Sequence, residues 1–191
     1  VIIIGSGVIG AAMSFELSKA GFKTLNIDKN HDAGTGSTSA SCAIIRVHYS
    51  TLDGSALAYE GYFDWKNWAK YLGVQDDQGT AKFVECGCLV METKQNEFLE
   101  KHKSICVSLN IPFEEWDSKT IKEKLPFYNQ NSFAPAKRID QDGFGVPNGS
   151  HINTGVFFPT GGYVTDPQLS AHNLMFAAKS HGGQFKFNSE V

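Results

Sequence analysis

Val1-Ile-Ile-Ile-Gly-Ser-Gly-Val-Ile-Gly10 opens the chain and runs directly into Ala11-Ala-Met-Ser-Phe-Glu-Leu17. Four β-branched apolar residues in a row suit a parallel strand buried on both faces. Gly5, Gly7 and Gly10, with Ser6, Val8 and Ile9 between them, form a G-x-G-x-x-G turn. Gly5 permits the tight turn, Gly7 carries no Cβ to block a pyrophosphate, and Gly10 lets the following helix lie close to the strand. The start of that helix points unpaired backbone N–H groups and a partial positive charge at the phosphates. Ile9, Ala12, Met13, Leu17 and Ala20 follow helical spacing and predict the packed face, with Gly21 just past the helix end. Lys23–Ile27 then reads as a second strand closing on Asp28, 18 residues after Gly10. An acid at about that distance accepts bonds from a ribose hydroxyl. A coincidental glycine pattern in an ordinary α/β unit is the alternative. The order strand, turn, helix, strand and acid favours a dinucleotide site.

Outward from this unit, 191 residues can bury one large core or two small ones, and 41% hydrophobic with 19% charged residues is ordinary for a globular chain. A net charge of -3 gives no reason to expect nucleic acid or an anionic membrane as partner. No apolar run approaches the roughly 18 residues of a spanning helix, and the opening run lacks a basic flank and a cleavage site. Cys42, Cys86, Cys88 and Cys106 match no metal spacing, so no metal is expected; they read as reduced thiols of a cytoplasmic protein. The first residue already lies inside a strand and Val191 ends a strand-like run, so the expectation is a piece of a longer polypeptide.

After Asp28 and Lys29, residues 30–43 are rich in Gly, Ser and Thr and lead into Ile44-Ile-Arg-Val-His-Tyr49. A linker is one reading. A second cofactor-contacting segment is the favoured one, because small side chains let backbone and hydroxyl groups reach phosphate oxygens. Asp53–Leu72 is expected as one helix, with Ala58, Tyr62, Trp65, Ala69 and Leu72 on its core face and Gly73 closing it. Gly79–Met91 reads as a hairpin of Ala81–Glu85 and Cys88–Met91. Gln95–Leu109 is expected to be helical, with His102 a packed histidine, and Ser118 to cap a short helix reaching Lys124 before Pro126. A turn-rich stretch, Asn129–Asn153, precedes two short strands, Val156–Phe158 and Gly161–Val164. Asp166-Pro167 is a helix start with Asp as cap and Pro at the first position. Gly182-Gly183 ends that helix, and Gln184–Val191 is a closing strand.

Three stretches give the chain its likeness to a known family: the opening fingerprint through Asp28, Gly36-Ser-Thr-Ser-Ala-Ser-Cys-Ala-Ile-Ile-Arg46 with Tyr49, and Thr154–Phe158 through Asp166-Pro167 to Val191. Together they resemble the amino-acid oxidase branch of flavoproteins, which includes D-amino-acid oxidase, glycine oxidase, sarcosine oxidase and dimethylglycine dehydrogenase. Phe83–Met91 is similar to the first substrate-domain hairpin of that group. The resemblance implies FAD rather than NAD. An NAD-dependent dehydrogenase would continue with βαβ units after Asp28, where this chain has a small-residue loop, a long helix and a hairpin.

By the same resemblance the fold is α/β: a Rossmann-like FAD-binding domain of the glutathione-reductase type, with part of an α+β substrate domain inserted. Residues 1–80 and 155–191 would be the FAD-binding segments and 81–154 the substrate-domain segment. Gly5, Gly7 and Gly10 would hold the pyrophosphate and Asp28 the ribose. Ser37, Thr38 and Ser39 would lie near the phosphates or the flavin, and a backbone group of Val191 would meet the adenine. Arg46 matches the position of a carboxylate-binding arginine, with pairing to an acid such as Asp53 as the plain structural alternative. Tyr49 and His48 are the other candidate catalytic residues. Such enzymes pass a hydride equivalent from a C–H beside a substrate nitrogen to flavin N5, and the imine hydrolyses. The implied partners are a small amine or amino acid and an electron acceptor, oxygen or a carrier, with other subunits an option. A non-catalytic FAD-binding subunit is the alternative. Two departures stand out. Ser39-Ala40-Ser41 occupy the region where members with loop-attached flavin carry a histidine, and Ala43 stands where sarcosine oxidases carry a second basic residue.

Overall fold

The structure is a computed structural model and describes residues 1–93 and 98–191. In chain order its elements are β1 (Ile2–Ile4), α1 (Val8–Lys19), β2 (Leu25–Ile27), β3 (Ile44–Ile45), α2 (Leu52–Lys66) and α3 (Trp68–Leu72). They continue as β4 (Phe83–Val84), β5 (Cys88–Met91), α4 (Leu99–Ser108), β6 (Glu114–Asp117) and α5 (Ser118–Lys124), then β7 (Thr154–Phe158), β8 (Gly162–Val164), α6 (Pro167–Ser180) and β9 (Gln184–Lys186). The chain divides into two compact units.

The first unit comprises Val1–Arg46, Glu60–Cys86 and Gly161–Val191. Its main sheet is parallel, in the order β1-β2-β9. Helix α1 connects β1 to β2, α6 leads directly into β9, and these two helices pack on each other. The buried face of α1 is Ala11, Ser14, Phe15 and Ser18. Small and hydroxyl residues there let α6 come close, so Ala177, Ala178 and Leu174 pack against Ala11 and Phe15 in one cluster. The Ser18 hydroxyl donates to Phe15 O at 3.1 Å, and Ser14 and Thr24 share a hydroxyl bond at 2.9 Å. Burying a side chain like Phe15 contributes about 1.5–3 kcal/mol. This corrects the face expected from spacing: Ile9 is 75% and Met13 49% exposed. The serines that hydropathy assigns to water are the ones that permit helix contact. A second, antiparallel sheet runs β3-β8-β4.

The second unit comprises Val47–Tyr59 and Gly87–Thr160, built on the antiparallel sheet β5-β7-β6. Trp116 stacks on Phe157 with ring centroids 4.3 Å apart, and Phe158, Leu99, Ile121 and Val156 are buried. His102 is buried on α4, as a packed histidine should be. Of the helix expected over Gln95–Leu109, Gln95–Glu97 lie outside the described residues; the remainder is α4.

Long-range pairing changes several local expectations. The hairpin is absent: β4 pairs with β8 and β5 with β7, in different sheets. Two adjacent β-prone runs do not encode which non-local strand each will meet. Pairing of β4 with β8 carries residues 81–86 into the first unit, and pairing of β7 with β5 and β6 carries 155–160 into the second. The single helix expected over Asp53–Leu72 breaks at Asn67 into α2 and α3. The break turns Trp68 inward at 6% exposure and leaves Ala69 exposed, while Gly73 closes α3 in a left-handed conformation. Asp117, not Ser118, caps α5, its carboxylate accepting Thr120 N–H. That bond, the largest cause, holds the Asp117 carboxyl below its usual range. Asp166 caps α6 as expected, accepting Leu169 N–H at 2.9 Å. The closing strand stops at Lys186.

Candidate functional site

The carboxyl ends of β1 and β2 open into a cavity of about 660 Å³ within the first unit. Ligands of open parallel sheets bind at this edge. One wall is the glycine turn. Gly5 has φ +102°, a conformation L side chains rarely adopt, and its N–H donates to Ile27 O at 2.8 Å. A Cβ on Gly10 would lie 2.2 Å from Gly5 O, so α1 sits as close to the turn as backbone allows. Asn26, fully buried on β2, reinforces this contact: its Nδ2 donates to Gly5 O at 3.1 Å and to Gly10 O at 3.0 Å. Gly7 caps α1 without a side-chain bond, and the first turn carries no acid. Val8 N–H instead donates to the Thr38 hydroxyl at 3.0 Å. The neighbouring first-turn N–H groups have no partner inside the helix. Ile3, Ile9 and Met13 add an apolar floor.

Asp28 stands at the end of β2 with its carboxylate already oriented. Its Oδ2 accepts Ser6 N–H at 2.6 Å and its Oδ1 accepts Asn30 N–H at 2.9 Å. A carboxylate has about four acceptor positions, so two remain. The backbone around it is clamped by the chain's last residues: Ser189 N–H donates to Asp28 O and Asn188 N–H to Asn30 O, both at 2.9 Å.

The opposite wall is the hydroxyl-rich loop, through Gly36, Ser37, Thr38 and Ser41, continuing along Ala43 to Ile45. Its base is pinned where Gly34 N–H meets Ser6 O at 2.9 Å. Trp65, Val164, Pro167 and Ser170 complete the lining. Trp65 stacks on Trp68 at 4.3 Å, so part of the α2 stripe expected in the core faces the cavity.

Among the sequence candidates, the structure brings Gly5, Gly7, Val8, Ile9, Gly10, Asp28, Ser37 and Thr38 to one cavity. Ser6 is buried behind the turn, and Lys29 and Ser39 are exposed, with the Ser39 hydroxyl bonded to Gly36 O at 3.0 Å. Val191 is exposed, two residues beyond the clamp at Ser189. Arg46 is exposed, just past the last cavity-lining residue, Ile45. In the second unit Tyr49 is 36% exposed, and its N–H donates to the Ser55 hydroxyl at 2.9 Å. His48 is buried, its ring stacked on Phe158 at 4.1 Å. Sequence reasoning missed Asn26, Asn30 and Ser170. An asparagine inside an otherwise apolar strand was the available signal for the first.

A parallel βαβ unit, a glycine turn against a helix start and an acid at the second strand's end define a dinucleotide-binding α/β protein. The chain matches the family described as FAD dependent oxidoreductase over residues 1–191, and it belongs to that family, whose cofactor is FAD. No curated protein matches it. Among solved structures, L-proline dehydrogenase from P. horikoshii aligns at TM-score 0.77 with 20% identity, over 100% of this chain and 44% of that one. Glycine oxidase from Geobacillus kaustophilus aligns at 0.73 with 22% identity, over 100% of this chain and 46% of that one. L-alpha-glycerophosphate oxidase from Mycoplasma pneumoniae, with FAD bound, aligns at 0.71 with 20% identity, over 100% and 44%. The chain thus spans under half the length of these structures, and at such identities the likeness is one of fold. Among the described residues, no helix is long and apolar enough to cross a membrane.

Proposed function

We propose that this chain forms the FAD-holding part of an oxidoreductase that oxidises the C–N bond of a small amino acid or N-methylated amine. Sarcosine, dimethylglycine, glycine and D-amino acids are the substrate candidates. The observation that carries the reading is the cavity itself, with helix-start N–H groups on one side and the Asp28 carboxylate on the other. Its residues fit FAD. The first turn of α1 offers the N–H groups of Ile9 and Gly10 and the positive helix end to a pyrophosphate, with no acid there to repel it. Asp28, fixed by Ser6 and Asn30, has acceptor positions for the ribose hydroxyls. Ser37, Thr38 and Ser41 continue the polar lining toward the flavin end. Val191, close past the Asp28 clamp, is the candidate for the adenine contact. When bound, FAD supplies the two-electron acceptor that a C–N oxidation needs. The protein's share is to orient it, exclude water with Ile9, Met13 and Trp65, and hold the substrate's charge.

Support for an amine or amino-acid substrate comes from the names of L-proline dehydrogenase and glycine oxidase among the similar structures. Arg46 is the proposed carboxylate clamp, since a guanidinium binds a carboxylate through two parallel bonds. Tyr49 and His48 are the accompanying candidates. The electron acceptor is oxygen or a carrier, and cysteines read as reduced thiols suit a cytoplasmic protein. A second reading is FAD held in a non-catalytic subunit. The natural polypeptide carrying this chain should show flavin absorbance that one of the candidate substrates bleaches anaerobically. Arg46→Ala should raise the substrate concentration required by about 10–100-fold, the scale of losing a charge-assisted pair. Bleaching at unchanged substrate affinity removes Arg46 from the site. Absence of bleaching by every amine favours the second reading.

A further inference from the structure

We propose that Asn148 is a self-modifying position. Its side-chain amide is set to cyclise onto Gly149 and hydrolyse to aspartate and isoaspartate, which opens the neck of a cavity in the second unit. Asn148 is the one asparagine of the chain that is followed by glycine. It sits where two facing arms, residues 130–134 and 148–152, close a loop. Ser132 N–H donates to Ser150 O at 2.8 Å, Asn148 N–H to Ser132 O at 2.9 Å and Ile152 N–H to Gln130 O at 2.8 Å. The Asn148 side chain adds a further fastening, its Nδ2 donating to Ala134 O at 2.7 Å and to Ser132 Oγ at 3.3 Å. Ser132, Ala134, Asn148 and Ser150 line a cavity of about 660 Å³, together with Glu92 and Glu100.

Cyclisation needs an accessible nitrogen, a polarised carbonyl and water, and this turn supplies all three. Gly149 N–H makes no hydrogen bond among the described residues, and no Cβ shields it. Nothing stands within 4 Å of the Gly149 Cβ position, so the approach is open. On the other side, Asn148 Oδ1 accepts Ser150 N–H at 2.9 Å. Negative charge builds on that oxygen as a nitrogen attacks Cγ, and a donor already in place lowers the barrier. Asn148, Gly149 and Ser150 are exposed, so hydroxide and water reach them. The Gly149 nitrogen gives its proton to hydroxide and bonds to Cγ. The Cγ–Nδ2 bond breaks, and the departing nitrogen takes a proton from water, leaves as ammonia and returns the hydroxide. One water then opens the succinimide ring at either carbonyl. The sum is amide plus water to carboxylate plus ammonium, with nothing oxidised or reduced. Opening at the side-chain carbonyl leaves aspartate; opening at the backbone carbonyl leaves isoaspartate, whose main chain is one methylene longer. Either product loses the Nδ2 donor to Ala134 O and adds a carboxylate to a cavity already lined by Glu92 and Glu100. The two arms then part.

The test holds the natural polypeptide in mildly alkaline buffer and follows it in two ways. Peptide mass mapping reads the exchange of NH2 for OH, and isoaspartyl-methyltransferase labelling reads the branched product. Within these residues conversion should concentrate at Asn148, while Asn131, followed by Ser132 on the facing arm, stays intact over the same time. Asn148→Gln, whose longer side chain cannot close a five-membered ring, should abolish the label from this segment. Ser150→Pro removes the N–H on Oδ1. It should slow conversion by about tenfold, less than the roughly 100-fold of a buried oxyanion donor because this site is open to water. Asn148→Asp imitates one product and should quicken amide exchange at Ser132 by about two- to tenfold, the worth of one hydrogen bond. Should Ser150→Pro fail to fold, Asn148→Gln and Asn148→Asp decide. An Asn148 that stays intact while other asparagines convert, or a folded Ser150→Pro that converts like the wild type, overturns the proposal. Unchanged exchange in Asn148→Asp overturns the opening of the neck.

Discussion

Gly10→Ala is the sharpest single-atom perturbation of the cofactor cradle. The new methyl carbon would stand 2.2 Å from Gly5 O and 3.0 Å from Gly5 C, far inside contact distance, with Asn26 Nδ2 at 3.5 Å. Neither neighbour is a flexible side-chain tip, so α1 and the turn must separate. Forcing an extra carbon into a packed site costs about 1–3 kcal/mol. Separation also lengthens the two bonds from Asn26 to Gly5 O and Gly10 O, at about 0.5–1.5 kcal/mol each. Ala is the better helix former by about 1 kcal/mol, which offsets part of this. The net is a loss of about 1–5 kcal/mol. The FAD-bound geometry requires the closed turn, so an affinity loss of about 10–100-fold is expected, equal to about 1.4–2.8 kcal/mol. Equilibrium titration of the FAD-free natural polypeptide with FAD measures it. Gly61→Ala is the matched control: it also lies inside a helix, but nothing stands within 4 Å of its Cβ position. That variant should be neutral or stabilised by up to about 1 kcal/mol, with unchanged FAD affinity. If Gly10→Ala binds FAD like the wild type, the close approach of α1 to the turn is not what builds the site.

Other substitutions test neighbouring parts of the account. Asn26→Ala removes the donor to two carbonyls and should destabilise by about 1–3 kcal/mol in urea titrations, with weaker FAD binding. Asp28→Ala frees Ser6 N–H and removes the ribose acceptor, so FAD affinity should fall by about tenfold or more. Asn173→Ala strips the bonds to Asp76, Gly79 O and Ala81 N–H from a fully buried position and should cost about 2–4 kcal/mol by chemical denaturation. The Tyr62 hydroxyl bond, followed by Lys66, holds the Glu85 carboxyl below its usual range. A depressed carboxyl stabilises the fold above its unfolded value and loses that contribution as pH falls through the folded one. Glu85→Gln should therefore melt below the wild type at neutral pH, with the gap closing under acid conditions below about pH 4.

The cofactor half of the fold was legible because its signals are local. Gly5, Gly7, Gly10 and Asp28 sit at fixed offsets along one βαβ unit, and Asp166-Pro167 announces α6 by its own chemistry. What the sequence hid depends on distant partners. The buried face of α1 is set by α6, some 160 residues away, where the Ser18 hydroxyl reaches Ala178 O, and hydropathy counts Ser18 as surface. Strands β4 and β5 look like a hairpin because nothing in either records its partner in β8 or β7. Trp65 fits a core stripe equally well whether it packs inward or walls a cavity. Asn26 belongs to a position that no motif spacing marks.

A crystal structure of the natural polypeptide grown with FAD tests the central claim most directly. The account predicts the pyrophosphate on the N–H groups of Ile9 and Gly10, ribose hydroxyls on Asp28, and Asp28 still bonded to Ser6 and Asn30. FAD bound away from the glycine turn, or a turn whose N–H groups face no phosphate, would contradict it.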